Sequence, residues 1–360
     1  MMFLHLYLSH FFINYIRHLM QKLLFITLLC CLAFETITLA QHKKYPTIGK
    51  ITSFDPALNK VLDTSASIEI IGQGFTWPEG PVWVKKEQFL LFSDVPNNII
   101  YKWTEKDGIQ KFLTPSGYTG TGYYSAEPGA NGLIINNKGN LVACEHGDRR
   151  ISEMPLYHPE KKKTLAHLFE GKQLNSPNDI VQHSSGDYYF TDPPFGLPLR
   201  GEPEQAKELP FQGVFKLDKK GKLTLQAKEM TRPNGLAFNP DESILYVGQS
   251  DRKNLIWKAY PVDKQGNLGE GKIFFNATNM SRPDWKSPAD GIKVDQNGNV
   301  WTIGPGGVLI INPEGRLLGR IETISFSSNC TFGEDGTTLF ITSGNNLLRI
   351  KTKTKGVLFR

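Results

Sequence analysis

Apolar and polar positions recur along most of the chain in a unit that appears six times. In most cases the unit opens with a polar residue shortly after Pro or Gly. A short apolar stretch follows, then a turn rich in Gly, Asn or Asp, and then a second apolar or aromatic stretch. Two short apolar stretches around such a turn are typical of two antiparallel β-strands. The six units span 77–94, 129–145, 176–192, 232–247, 287–302 and 328–343.

The spacing of the units predicts the architecture. The polar residues that open them, called the head residues below, are Glu79, Asn131, Asn178, Asn234, Asp290 and Asn329. Their mean separation is about 50 residues, a period typical of β-propeller blades. One or two further strand-like runs follow each unit, as at 98–103 and 254–260. The chain is therefore predicted to be an all-β protein with the fold of a six-bladed β-propeller.

The last unit is too short to supply a complete blade of four strands. A strand-like run at 67–71 lies just before the first unit. We expect this N-terminal strand to complete the last blade, because closing the ring removes its free edges. The propeller is accordingly predicted over 67–360, with 41–66 as a lead-in.

Composition excludes several alternatives. With 34 Gly and 22 Pro among 360 residues, long helices cannot dominate the fold. Parallel α/β barrels and doubly wound sheets are disfavoured, because helical patterns of about 10–15 residues do not separate the strands. The formal net charge is +6 with the charges spread along the chain. We expect no nucleic-acid partner, since no basic stripe is present.

Residues 1–40 form a separate, strongly apolar segment with three charged residues. From Met20, a short basic start, an apolar run at 23–34 and a small-residue site at 38–40 are typical of a secretory signal peptide. This pattern predicts a periplasmic or secreted protein, with Met20 as a candidate start and no stable membrane association after cleavage. A retained anchor and a lipidated cysteine are the alternatives. The apolar run is shorter than the roughly 20 residues of a spanning helix.

Two cysteines lie beyond the signal segment. Cys144 and Cys330 both occur in apolar, strand-like runs. We predict two separate buried thiols. A disulfide between them is the alternative, because disulfides persist in exported proteins.

The head residues carry the candidate chemistry. The first strand of each propeller blade lines the central channel, so the six head side chains are expected to meet at one mouth. The set contains two carboxylates, four carboxamides and no His or Cys. Such oxygen ligands suit a hard cation, and Glu79 with Asp290 would neutralise one divalent ion. We predict one divalent cation, calcium first, with magnesium, manganese or zinc as alternatives. Otherwise the heads satisfy backbone groups around a wet channel.

Several motifs give the chain a family resemblance. Over 75–349 the sequence resembles the senescence marker protein/gluconolactonase/regucalcin family of six-bladed propeller lactonases. The matching motifs lie at 77–81, 176–179, 232–236, 289–291 and 329–333. The resemblance implies that the cation is held by Glu79, Asn234 and Asp290, and that Asn178 contacts metal or substrate. It also implies that Asp290 takes part in proton transfer.

The resemblance has one informative departure. Some sugar lactonases carry an arginine two residues before the head of the third blade, where this chain has Ser176. Further candidates for substrate contact are Asn131, Asn329 and His146, and the segment 192–209 is a candidate lid.

The implied function is divalent-metal-dependent hydrolysis of a small sugar-type lactone at the channel mouth. Bound metal would polarise the lactone carbonyl while a carboxylate accepts a proton from water. One alternative is a non-catalytic propeller that binds carbohydrate or protein around a structural calcium ion. Another keeps the hydrolysis but changes the substrate to a different ester.

Overall fold

The computed structural model describes residues 15–25, 45–198, 206–280 and 287–357. Residues 15–25 are helical and belong to a first compact unit, Met1–Tyr45, while a second unit comprises Pro46–Arg360. None of the helices in the described ranges has the length and apolar character needed to span a membrane. The predicted cleavage site at 38–40 lies outside the described residues.

In its described part, the second unit contains six antiparallel blade sheets, five of four strands and one of five. Blade one contains Pro78–Val84, Phe89–Asp94, Ile99–Thr104 and Gly108–Leu113. Blade two contains Ala130–Ile135, Asn140–Glu145, Arg150–Pro155 and Lys163–Ala166. Blade three contains Ile180–Gln182, Tyr188–Asp192, Gly213–Leu217 and Leu223–Ala227. A short hairpin connects blades two and three and consists of Leu168–Phe169 and Lys172–Gln173.

The second half of the chain repeats this plan. Blade four contains Pro233–Phe238, Ile244–Gln249, Ile256–Pro261 and Lys272–Asn276. Blade five contains Ile292–Val294, Val300–Gly304, Gly307–Ile311 and Leu317–Glu322. Blade six contains Ser327–Gly333, Thr338–Ser343 and Asn346–Lys351. Short 3₁₀ turns lie at Pro56–Lys60, Pro159–Lys161 and Thr278–Met280.

The N-terminal part of the propeller closes the ring. Strand Glu69–Gln73 pairs antiparallel with Asn346–Lys351 and completes blade six, which confirms the predicted closure. The inner strands of blades six and one are also in contact. Strand Lys50–Ser53, from the segment predicted as a lead-in, pairs with Leu317–Glu322 and gives blade five a fifth strand.

The hydrophobic core lies between neighbouring blades. Trp83 of blade one stacks on Phe340 of blade six, with ring centroids 5.5 Å apart. Leu58 and Leu62 are fully buried in the cluster shared by blades five and six. Cys144 and Cys330 are buried free thiols, as predicted, and burial raises the pKa of both. The ring closure is thus supported by packing as well as by strand pairing.

Glycines allow the blades to approach closely at the axis. Gly follows the head residue in four units, at Gly80, Gly132, Gly235 and Gly291. A Cβ atom on Gly235 would lie 2.2 Å from the carbonyl oxygen of Asp290, the head residue of the next blade. At Gly80 the corresponding distance to the carbonyl oxygen of Asn131 would be 2.0 Å. A larger side chain at these positions would therefore push neighbouring blades apart.

We expect Gly235→Ala to lower the free energy of unfolding by about 2–3 kcal/mol, because the added methyl group must displace backbone. Gly269→Ala is the matched control, since Gly269 is exposed and its Cβ would meet no atom nearer than 3.7 Å. The control should change stability by no more than about 0.5 kcal/mol. Urea unfolding followed by tryptophan fluorescence measures both variants. Equal stability of the two would contradict the close-approach argument.

Candidate functional site

Irregular strand pairing directs the head side chains toward the axis. The register of the two inner strands shifts between Glu79 and Val82 in blade one, and across the head residue in blades two and four. In blade six the shift lies just before the head residue, which itself pairs in regular register. In blades three and five the inner strand begins only after the head residue. A β-bulge interrupts the regular alternation of side chains and re-aims one of them. Five of the six head residues are therefore outside the regular alternation of side chains along a strand.

Five of the six head residues line one cavity of about 500 Å³. They are Glu79, Asn131, Asn178, Asn234 and Asp290. All five are buried, with at most 7% of the residue surface exposed. The structure thus brings together every residue that the sequence predicted to bind the cation.

Asn329, the sixth head residue, does not line this cavity. Its side-chain nitrogen donates to Glu79 Oε2 over 3.3 Å, and its Oδ1 accepts from the Cys330 backbone nitrogen over 2.9 Å. Glu79 Oε2 also accepts from the Gly80 nitrogen at 3.0 Å. Asn329 therefore orients Glu79, and this geometry does not support the predicted substrate contact.

Several oxygens at the cavity lack a hydrogen-bond partner. Asn131 Oδ1, Asn234 Oδ1 and Asp290 Oδ1 are buried, and the described residues supply them with no donor. The Asn234 amide nitrogen donates to Ser250 Oγ over 2.9 Å, and Ser250 Oγ donates to the Ala289 carbonyl over 2.5 Å. These bonds hold the Asn234 side chain through its amide nitrogen and leave its Oδ1 available. Because buried acceptors are rarely left unpaired, the oxygen set fits a bound cation.

The carboxylates of the cavity repel one another. Burial raises the pKa of Glu79 to about 8, and the charges of Asp179 and Glu127 add to the effect. Burial likewise raises the pKa of Asp290, with Glu79 the next contributor. In the described part of the chain, no group of three or more His, Cys, Asp or Glu side chains is close enough together to hold a metal ion. Any cation here therefore depends on amide oxygens as well as carboxylates.

His146 lies behind the cavity wall. It is fully buried and is absent from the residues that line the cavity. Its Nδ1 is 3.1 Å from the carbonyl oxygen of Glu127. A Cβ atom on Gly196 would lie 2.4 Å from His146 side-chain atoms, so the two residues are in close contact. Both Glu127 and Phe195, the neighbour of Gly196, line the cavity.

Ser176 anchors the segment that carries Phe195. Ser176 Oγ donates to the Pro193 carbonyl over 2.6 Å and accepts from the Gly196 nitrogen over 2.9 Å. Within the candidate lid at 192–209, Phe195 thus reaches the cavity, while 199–205 lie outside the described residues.

Sequence reasoning missed several cavity residues that come from outside the head positions. They are Glu127, Arg232, Arg252, Ser250 and Phe326. Arg232 lies two residues before the head residue Asn234, so its position in the repeat could have identified it as a candidate cavity residue. The others lie in connections whose approach to the axis depends on the tertiary fold. Trp77, two residues before the first head residue, contacts Phe326 edge to face, with ring centroids 6.3 Å apart.

Known proteins share both the sequence and the fold. A gluconolactonase of Zymomonas mobilis is 41% identical over 317 residues, covering 86% of this chain and 88% of the relative. The solved structure of a Xanthomonas campestris gluconolactonase is 30% identical, has a TM-score of 0.72, and covers 86% of this chain and 99% of its own. A calcium-binding regucalcin from Agrobacterium tumefaciens shares the fold at 16% identity, with a TM-score of 0.63 and coverage of 88% and 96%.

The family comparison agrees with these likenesses. Residues 77–345 match the family described as the SMP-30/gluconolactonase/LRE-like region. The matched range begins at the motif of the first head residue and extends past the sixth. The chain belongs to the SMP-30/gluconolactonase/LRE-like family.

Proposed function

We propose that this protein hydrolyses a small sugar-type lactone, such as a gluconolactone, at the mouth of the propeller channel with the help of one divalent cation. The proposed cation ligands are Glu79, Asn178, Asn234 and Asp290, with calcium as the first choice and magnesium, manganese or zinc as alternatives. The main support is the cavity where these oxygens converge and where some of them have no protein partner.

Lactone hydrolase activity rests on the family and on the gluconolactonase relatives. The proposed metal requirement and the proposed position of the site rest on the cavity and on the family resemblance. A purely carbohydrate-binding or protein-binding propeller has no comparable support from the relatives. A different ester substrate remains the second candidate, and a substrate panel distinguishes it.

The cavity residues can divide the work of hydrolysis. The cation, when bound, would supply Lewis-acid polarisation of the lactone carbonyl. Asp290 accepts a proton from the water that adds to that carbonyl, and returns it to the ring oxygen as the carbon–oxygen bond breaks. The products are one hydroxy acid and the unprotonated Asp290. Asn131 presents its free Oδ1 to a substrate hydroxyl or to water.

The raised pKa values of Glu79 and Asp290 affect how these residues bind a cation and accept a proton. A carboxyl group whose pKa is raised by burial keeps its proton to a higher pH, until a positive charge approaches it. A cation therefore competes with protons for Glu79, whose pKa is raised to about 8, and for Asp290, whose pKa is shifted in the same direction.

We expect a chelator to abolish lactone hydrolysis, and calcium to restore it. Asp290→Asn should lower kcat by roughly 10²–10⁴-fold, since it removes the proton acceptor. The control is Asp107→Asn, which changes an exposed carboxylate in a turn of blade one and should keep full activity. Acid release from D-gluconolactone in a weakly buffered indicator assay measures each case. Full turnover by demonstrably metal-free protein would rule out the metal-dependent mechanism.

Stability should depend on pH in a direction set by Glu79. Its pKa is raised from 4.5 to about 8 on folding. The corresponding stability is therefore present below about pH 4.5 and is lost as the pH rises toward 8 in the metal-free protein. Calcium should raise the melting temperature more at pH 8 than at pH 5.5, because it replaces the lost protons. Calorimetry at both pH values tests this, and Glu79→Gln should reduce the difference. An equal calcium effect at both would count against the site.

We also propose export of the protein, on the pattern of residues 1–40. Expression in a bacterial host should yield a mature chain that begins at Gln41. N-terminal sequencing of the purified protein measures this. A chain that retains the apolar run at 23–34 would instead support a membrane anchor.

A further inference from the structure

A third carboxylate lines the cavity besides the two carboxylate heads. Glu127 belongs to the connection before blade two, and only 5% of its surface is exposed. It lines the cavity together with Glu79 and Asp290, and its charge raises the pKa of both. Glu127 is thus close to the proposed reaction centre without belonging to the ring of head residues.

The backbone around Glu127 is held from several sides. The Gly147 nitrogen donates to the Pro128 carbonyl over 3.0 Å, and the Gly129 nitrogen donates to the Val95 carbonyl over 2.9 Å. His146 Nδ1 lies within hydrogen-bond distance of the Glu127 carbonyl. The backbone that carries the Glu127 carboxylate is thus held in place, and selective recognition of a ligand requires such support.

The remaining cavity wall complements this acceptor. Arg232 directly precedes the first strand of blade four and Arg252 follows its second strand, so blades two and three lie between Glu127 and these arginines along the chain. The Arg252 guanidinium lies over the Phe326 ring, 5.7 Å from its centroid. Trp77 adds a second aromatic surface. A carboxylate acceptor, guanidinium donors and aromatic rings in one cavity suit a ring that carries several hydroxyl groups.

We propose that Glu127 is a specificity-determining residue that accepts hydrogen bonds from the hydroxyls of a polyhydroxylated lactone, and that His146 is a positioning residue that holds it. This inference rests on the proposed function. Asp290 is the better proton acceptor, because it belongs to the head ring and has a buried oxygen without a partner. Glu127 is therefore assigned to binding. His146, whose ring contacts Gly196, links the Glu127 wall to the Phe195 wall.

The test compares D-gluconolactone with δ-valerolactone, a six-membered lactone without hydroxyls. In Glu127→Gln, the ratio of kcat/KM for the first substrate to that for the second should fall roughly 10- to 100-fold, because the substitution removes the charge and one of the two acceptor oxygens. The loss should lie mainly in KM for D-gluconolactone. Glu270→Gln is the matched control, because Glu270 is exposed and does not line the cavity.

A second measurement reports hydroxyl binding without chemistry. Anhydroglucitol has the hydroxylated ring but no carbonyl, and its inhibition constant should rise about tenfold or more in Glu127→Gln. His146→Ala should move the same constant in the same direction by a smaller factor. An unchanged inhibition constant, or an equal fall of kcat on both lactones, would show that Glu127 acts in proton transfer or in folding and would overturn the proposal.

The outcome is separable from that of the proposed function. If the wild-type protein hydrolyses neither lactone, the proposed function fails. If it hydrolyses D-gluconolactone and requires calcium, but Glu127→Gln keeps the wild-type ratio and inhibition constant, only the role of Glu127 fails.

Discussion

The close approach of neighbouring inner strands is the constraint on which the rest of this molecule depends. Each glycine after a head residue lets its strand lie against the backbone or side chain of the next head residue. The same contact therefore packs the ring and sets the distance between adjacent head residues. In blade three the head residue is followed instead by Asp179, a buried residue whose charge raises the pKa of Glu79.

The buried polar groups of the cavity disfavour folding. Two buried carboxylates disfavour each other's charge, and buried amide oxygens lack donors within the described residues. An unpaired buried acceptor costs stability, so natural proteins place such atoms where a ligand restores the balance. The strands of the six blades hold these groups in place despite the loss of stability. Ser250 and Asn329 then fix the orientation of Asn234 and Glu79.

Connections between strands build the rest of the cavity. Segments that precede blade two and follow the second strand of blade three supply Glu127 and Phe195. His146 contacts the Glu127 carbonyl oxygen and Gly196, the neighbour of Phe195. Blade four supplies two arginines. The propeller strands thus carry the head residues, whereas the connections are free to vary in length and chemistry. Ser176 illustrates the point, because it is buried and secures a connection instead of facing the cavity.

The amino-acid sequence by itself determined the six-bladed ring, its closing strand and the residues that meet at the axis. These features could be predicted because a period of about 50 residues and the glycines beside the head residues are local patterns. Other features depended on contacts between distant parts of the chain. Strand Lys50–Ser53 joins blade five through pairing with a strand far along the chain. Asn329 donates a hydrogen bond to Glu79, and His146 is buried and does not line the cavity. Only the tertiary structure decided these contacts, because the burial and orientation of a side chain depend on packing and cannot be predicted from a local sequence pattern.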